Sequence, residues 1–196
     1  NDVVAVGPEA FYLTNLYGSH TAIGRLFERY LFRPRANIVY FDGGSARPVA
    51  RKLGMANGLA AGPEGEKLFV GEVMGRKVRA YRRTGKAGAL ELDWQLRLPM
   101  GVDNLTLGPD GALWAAGHPR LLEMSARMRR ADATPPSEVI RIDRRGSDPP
   151  QWRTVFLDET GKRFPAASVA AAYGNELLLG AVYGDAMLVC SAPGPS

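Results

Sequence analysis

A Gly-Pro pair followed by an acid occurs three times along the chain, in VGPEAFYLTN (Val6 to Asn15), AGPEGEKLFVG (Ala61 to Gly71) and LGPDGALWAAG (Leu107 to Gly117). The glycines, Gly7, Gly62 and Gly108, are 55 and 46 residues apart, and each turn sits between two short apolar stretches. That is the pattern of strand, tight turn, strand. A period of 45 to 55 residues filled with short strands suits propeller blades of four strands each. Further strands are predicted at Asn37 to Asp42, Lys77 to Arg83, Glu138 to Arg145 and Thr154 to Glu159. A degenerate last repeat begins near ASVAAAYGNELLLGAVYGDAMLVC, with Tyr173 to Glu176 in place of the Gly-Pro turn. The fold class expected is all-β, a propeller represented by about four blades over residues 1–190, with residues 191–196 a disordered tail. Alternating apolar residues and short apolar bursts disfavour a helical solenoid.

Five residues before each glycine stands a side chain carrying oxygen: Asp2, Asn57 and Asp103, with Asn1 and Asn104 beside two of them. Asp103 and Asn104 interrupt an otherwise apolar strand, where unpartnered polar groups cost a few kcal/mol if buried. In a propeller, equivalent positions on the innermost strands converge on the axis. A ring of hard oxygens suits Ca²⁺, which takes six to eight of them at about 2.3–2.6 Å. Zinc would want His or Cys, and the chain has 2 His and 1 Cys. The alternative is a set of Asx residues capping strand ends. The hairpin after Asp103 returns through Leu113 to Gly117, which brings His118 to the end of the blade that carries Asp103 and Asn104. NLT at Asn104 is a glycosylation sequon, expected to be unmodified because a sugar cannot sit on an axial ligand.

HTAIGRLFERYLF breaks the strand pattern, placing Ile23, Leu26, Phe27, Tyr30 and Leu31 at helical spacing until Pro34. It reads as a helical insertion near residues 20–32 that packs on the body, or as a lid or lipid-facing helix making peripheral membrane contact. The net charge of +5 permits an anionic partner. The basic residues are scattered, however, and no zinc spacing, RNA-binding signature or helix-turn-helix pattern accompanies them, so no nucleic acid is expected. No apolar run reaches the length of a membrane-spanning helix. Cys190 is the only cysteine, which excludes an internal disulfide. It reads as a small buried hydrophobe or as half of a bridge to a cysteine outside these residues. The chain starts at Asn1 rather than Met, as a processed or partial chain would.

NDVVAVGPEAFYLTN, MANGLAAGPEGEKLFVGE, VDNLTLGPDGALWAAGHP, PPSEVIRI and SVAAAYGNELLLGAVY resemble the serum paraoxonase/arylesterase family, over the C-terminal portion of its propeller. The resemblance implies a six-bladed ring with two axial calcium ions and lactonase and arylesterase activity on small ester or lactone substrates. It puts Asn1, Asn57, Asp103 and Asn104 on the catalytic calcium and Asp2 on a second, structural one. It makes His118 an active-site wall histidine, lines the substrate pocket with Ser168 (a threonine in most members) and Val182, and pairs Cys190 with a cysteine near the family's N-terminus. It sets the helix after Asn15 above the active-site mouth and suggests a secreted or extracytoplasmic protein. The family's histidine dyad and glutamate ligand fall in the missing N-terminal portion, so these residues alone are expected to be inactive. After Thr14-Asn15 the family has an Asp-His pair where this chain has Leu16 and Tyr17. The other readings are a non-catalytic propeller that serves as a binding module, and a gluconolactonase- or strictosidine-synthase-like enzyme.

Overall fold

The computed structural model describes residues 1–85, 87–127, 130, 133–144, 146 and 148–192. The chain divides into two compact units, Asn1–Leu98 and Pro99–Ser196. Each contains two antiparallel meanders among the described residues.

In the first unit one sheet has β1 (Val3–Ala5), β2 (Phe11–Asn15), β3 (Ala36–Phe41) and β4 (Ala46–Leu53), paired in chain order. The other has β5 (Ala56–Ala61), β6 (Lys67–Glu72), β7 (Lys77–Thr84) and β8 (Ala89–Arg97), also in chain order. Alternation drives this: β3 reads ANIVYF with every second residue buried. Tyr12, Ile38, Tyr40, Leu53, Leu59, Leu68, Val70 and Tyr81 form the core of the unit. The Tyr12 hydroxyl donates to the Gly88 carbonyl (2.9 Å) and accepts from Arg83 Nε (3.1 Å), so the polar end of this buried ring is satisfied.

In the second unit β9 (Gly101–Leu107), β10 (Leu113–His118), β11 (Ser137–Asp143) and β12 (Gln151–Asp158) make a four-stranded sheet. β13 (Ala167–Tyr173), β14 (Glu176–Ala181) and β15 (Leu188–Ser191) make a three-stranded one. Trp114, Val139, Phe164, Ala167, Ala170, Leu177 and Leu179 form its core. Ser191 ends β15 and the Ala192 N–H donates to the Asn175 carbonyl (2.7 Å); the expected tail at 193–196 lies outside the described residues.

The Gly-Pro turns close as hairpins. Gly65 N–H donates to the Gly62 carbonyl (2.8 Å) and Gly111 N–H to the Gly108 carbonyl (3.0 Å). Both fourth-position glycines are left-handed, at φ 66° and 80°. The acid of the third turn, Asp110, pairs with Arg141 at 2.7 Å.

The helical insertion is α1 (Ala22–Tyr30), capped by the Thr21 hydroxyl, which accepts from Gly24 N–H (3.1 Å). The expectation that its apolar stripe packs on the body is overturned. Ile23, Leu26, Phe27, Tyr30 and Leu31 are all exposed, and the buried residue is Glu28, 2% accessible. The reason is polar: the Glu28 carboxylate accepts from the backbone N–H groups of Gly18 (2.9 Å) and Ser19 (2.7 Å), which turns the charged face inward. The sequence reading missed a second helix, α2 (Leu121–Arg127).

Asp158 organises the approach to β13. Its Oδ2 accepts from the N–H groups of Arg163 (2.8 Å) and Phe164 (2.9 Å), and its Oδ1 from the Thr160 hydroxyl (3.0 Å). Burial pushes this carboxyl up, but the Phe164 and Arg163 N–H donors outweigh it and hold the carboxyl below its usual range. A depressed folded-state pKa stabilises above the unfolded value of about 3.9, and that stabilisation is lost as pH falls below it. Asp158→Ala is expected to cost about 3 kcal/mol at neutral pH, because charge-assisted bonds are lost and buried donors orphaned. In urea titrations the difference from wild type should shrink between pH 5 and 3; a gap independent of pH would refute the assignment.

Candidate metal and ester-hydrolysis site

The interruptions in the inner strands are β-bulges. In the pairing of β9 with β10, Leu105 faces Ala115 and Val102 faces Gly117, so Asp103 and Asn104 together oppose Ala116. In β5 with β6, Leu59 faces Val70 and Ala56 faces Glu72, so Asn57 and Gly58 oppose Gly71. In β13 with β14 the register slips between Ala167 and Val169, at Ser168. A bulge turns two consecutive side chains away from strict alternation, and bulges are frequent beside active sites. This answers why oxygens sit in an apolar strand: Val102 and Leu105 stay in the core while Asp103 and Asn104 are only half-buried.

In the second unit four of the expected residues come together. His118 faces Gly101 across the hairpin, and its Nε2 lies 3.4 Å from Asp103 Oδ2. The imidazole is 4% exposed, and its buried Nδ1 has no hydrogen-bond partner among the described residues. Gly117, just before it, has to be glycine, since a Cβ there would overlap the Gly101 carbonyl. Asn104 Nδ2 donates to the Ser168 carbonyl (2.9 Å) and to its hydroxyl (3.0 Å). That commits the amide nitrogen, where a glycan would attach, and leaves the carbonyl oxygen as the free donor atom. Thr106 repeats the link one step on, its hydroxyl donating to the Ala170 carbonyl (2.6 Å). Val182 is 42% exposed, anchored by its N–H to the Ala166 carbonyl (2.9 Å) beside Ser168.

In the first unit Thr14 joins two of the others. Its hydroxyl accepts from the Asp2 N–H (3.1 Å) and donates to the Asn57 carbonyl (2.6 Å). The Asp2 carboxylate accepts from Val3 N–H (2.8 Å) and Leu59 N–H (2.7 Å), tying β1 to β5. The Asn1 nitrogen donates to the Thr14 carbonyl (2.6 Å). Thr14, fully buried, was missed in the sequence, though it lies in the quoted FYLTN.

Among the described residues no group of three His, Cys, Asp or Glu side chains gathers as a metal site. The donor set is instead amide and carboxylate oxygen, which Ca²⁺ accepts and zinc does not favour. Asp103 and Asn104 bring one carboxylate and one amide oxygen of this kind to a single bulge.

The arylesterase family model matches residues 1–191. This chain belongs to the arylesterase family. It is 31% identical over 188 residues to human serum paraoxonase/arylesterase 1, and 32% identical to the rat protein, covering 95% of this chain. It spans 52% of either relative, about half their length. Among solved structures, a gluconolactonase from Xanthomonas campestris matches with a TM-score of 0.54 at 17% identity, over 96% of this chain and 55% of that one. Regucalcin from Agrobacterium tumefaciens, titled a calcium-binding protein, matches with a TM-score of 0.55 at 13% identity, over 91% of this chain and 52% of that one. The arylesterase chain therefore has the β-propeller fold expected of it. Its lone Cys190, half-buried on β15, is free, and the expected disulfide finds no support.

Proposed function

We propose that this chain is part of a calcium-dependent hydrolase of lactones and aryl esters. The observation that carries the reading is the pair of oxygen donors on the β9 bulge with an imidazole 3.4 Å away. In the second unit Asp103 and Asn104 would be ligands of the catalytic calcium, and in the first unit Asp2 would be a ligand of a second, structural ion. When bound, calcium supplies a Lewis acid for the ester carbonyl and neutralises charge on its oxygen. The residues of the chain do the rest. Ser168 takes up the Asn104 amide nitrogen, which leaves the amide oxygen to act as a ligand. Asp103, 3.4 Å from Nε2, orients the His118 ring, and the buried Nδ1 is left for an ordered water to satisfy. Ser168 and Val182 would wall the acyl or lactone pocket, and the exposed apolar stripe of α1 would face lipid. An extracytoplasmic location goes with this reading.

The test is hydrolysis of phenyl acetate and a simple γ-lactone by the whole protein, with calcium and after chelation. Calcium-dependent turnover is expected. A folded, calcium-loaded protein that turns over neither compound would reject the reading in favour of a binding module. Residues 1–196 alone are expected to be inactive, since the resemblance places further ligands elsewhere.

A further inference from the structure

A cavity lies in the first unit, apart from the bulges. It has a volume of about 440 Å³ and is bordered by α1, the ends of β4 and β6, and the starts of β7 and the turn before it. Five cations line it: Lys52, Arg76, Lys77, Arg79 and Arg97. Two acids, Glu28 and Glu72, do so as well, leaving a formal excess of three positive charges.

Both acids are already engaged. Glu28 accepts from two backbone N–H groups. Glu72, 1% exposed, accepts from Arg79 Nε (2.6 Å) and Gly54 N–H (2.5 Å). Arg79 is thus neutralised, and Lys77 and Arg97 are not: among the described residues neither has an acidic partner. These two stand directly opposite each other in the pairing of β7 with β8. Like charges facing across a sheet repel. Two more cations, Lys52 and Arg76, are carried on left-handed backbone, at φ 62° and 47°. Phe32 and Pro34 add apolar surface to the lining, and Phe32 is 66% exposed where the α1 stripe ends.

We propose that this cavity binds a phosphate-bearing amphiphile, with Lys77 and Arg97 holding the phosphate and Phe32 and Pro34 receiving the apolar body. The bound anion relieves the cross-strand repulsion. Arg97 offers the planar fork that matches phosphate oxygens, and Lys77 a point charge. The volume exceeds what inorganic phosphate fills and lies within the range of small-molecule sites. The inference stands independently of ester hydrolysis, since no residue assigned there lines the cavity.

The test is titration of the protein with inorganic phosphate and with hexyl phosphate, each against chloride at equal ionic strength, read by calorimetry and melting temperature. Hexyl phosphate is expected to bind at least about tenfold more tightly than inorganic phosphate, because a few methylenes leave water. The Lys77→Ala/Arg97→Ala double variant should lose at least about tenfold in affinity for both, yet melt no lower than wild type without ligand. Co-sedimentation with phosphatidylcholine vesicles, with and without phosphatidylglycerol, identifies the source. Adsorption that needs phosphatidylglycerol and is lost in the double variant assigns the site to a lipid headgroup. Hexyl phosphate binding lost in the variant, without vesicle adsorption, assigns it to a soluble phosphate ester. Absence of phosphate binding above the chloride control, or binding unchanged in a folded double variant, would overturn the proposal.

Discussion

Asp103→Ala is expected to lower turnover of phenyl acetate by about a hundredfold or more, because it removes a carboxylate that would hold the calcium, and with the ion goes the positive charge that would offset negative charge on the ester oxygen. The variant also strips the buried His118 of the carboxylate 3.4 Å from its Nε2. With Nδ1 already unpartnered, that side chain would then have neither ring nitrogen satisfied, at a cost of about 1–3 kcal/mol. Two effects are therefore mixed, and the melting curve separates them. If calcium binds only the folded protein, a hundredfold excess over its dissociation constant should add about 2.7 kcal/mol to wild type. Asp103→Ala, and Asp103→Asn, should lose most of that increment whatever their starting stability. Full calcium protection in an inactive Asp103→Asn would move Asp103 from ligand to positioning residue for His118.

Glu72→Ala is expected to be the most damaging single change to the fold of the first unit. Its carboxylate is 1% exposed and bridges the Arg79 guanidinium and the Gly54 N–H. Removing one partner of a buried pair typically costs about 3–5 kcal/mol, since the other charge stays in place without compensation. Arg79 would remain largely buried, with 17% of its side chain exposed. For a chain of this size the melting temperature should fall by roughly 10 °C. Glu72→Gln keeps an oxygen for Gly54 N–H and should cost less. A loss below 1 kcal/mol for Glu72→Ala in urea titration would contradict the burial argument.

Neither residue was equally visible before folding. Asp103 announces itself, because a side chain carrying oxygen recurs five residues before each Gly-Pro turn. Glu72 has no such signal: it closes β6 as one acid among many, and only the approach of Gly54 and Arg79 makes it central. The same contrast holds for α1. The spacing of Ile23, Leu26, Phe27 and Tyr30 declares a helix, but not which way it faces. Orientation was decided by Glu28 meeting two backbone donors of the preceding loop.

Local chemistry in the sequence thus determined the strands, the Gly-Pro hairpins, the oxygen-bearing positions and the return of His118 to the level of Asp103. Each of these follows from turn geometry and alternation within a few residues. What the tertiary structure decided was the aim of those side chains. The bulges at Asn57, Asp103 and Ser168 depend on which residue of the neighbouring strand each one faces, and the Asn104 amide is oriented by a serine 64 residues away. Register and long-range hydrogen bonds are properties of paired strands, so a single strand read alone does not contain them.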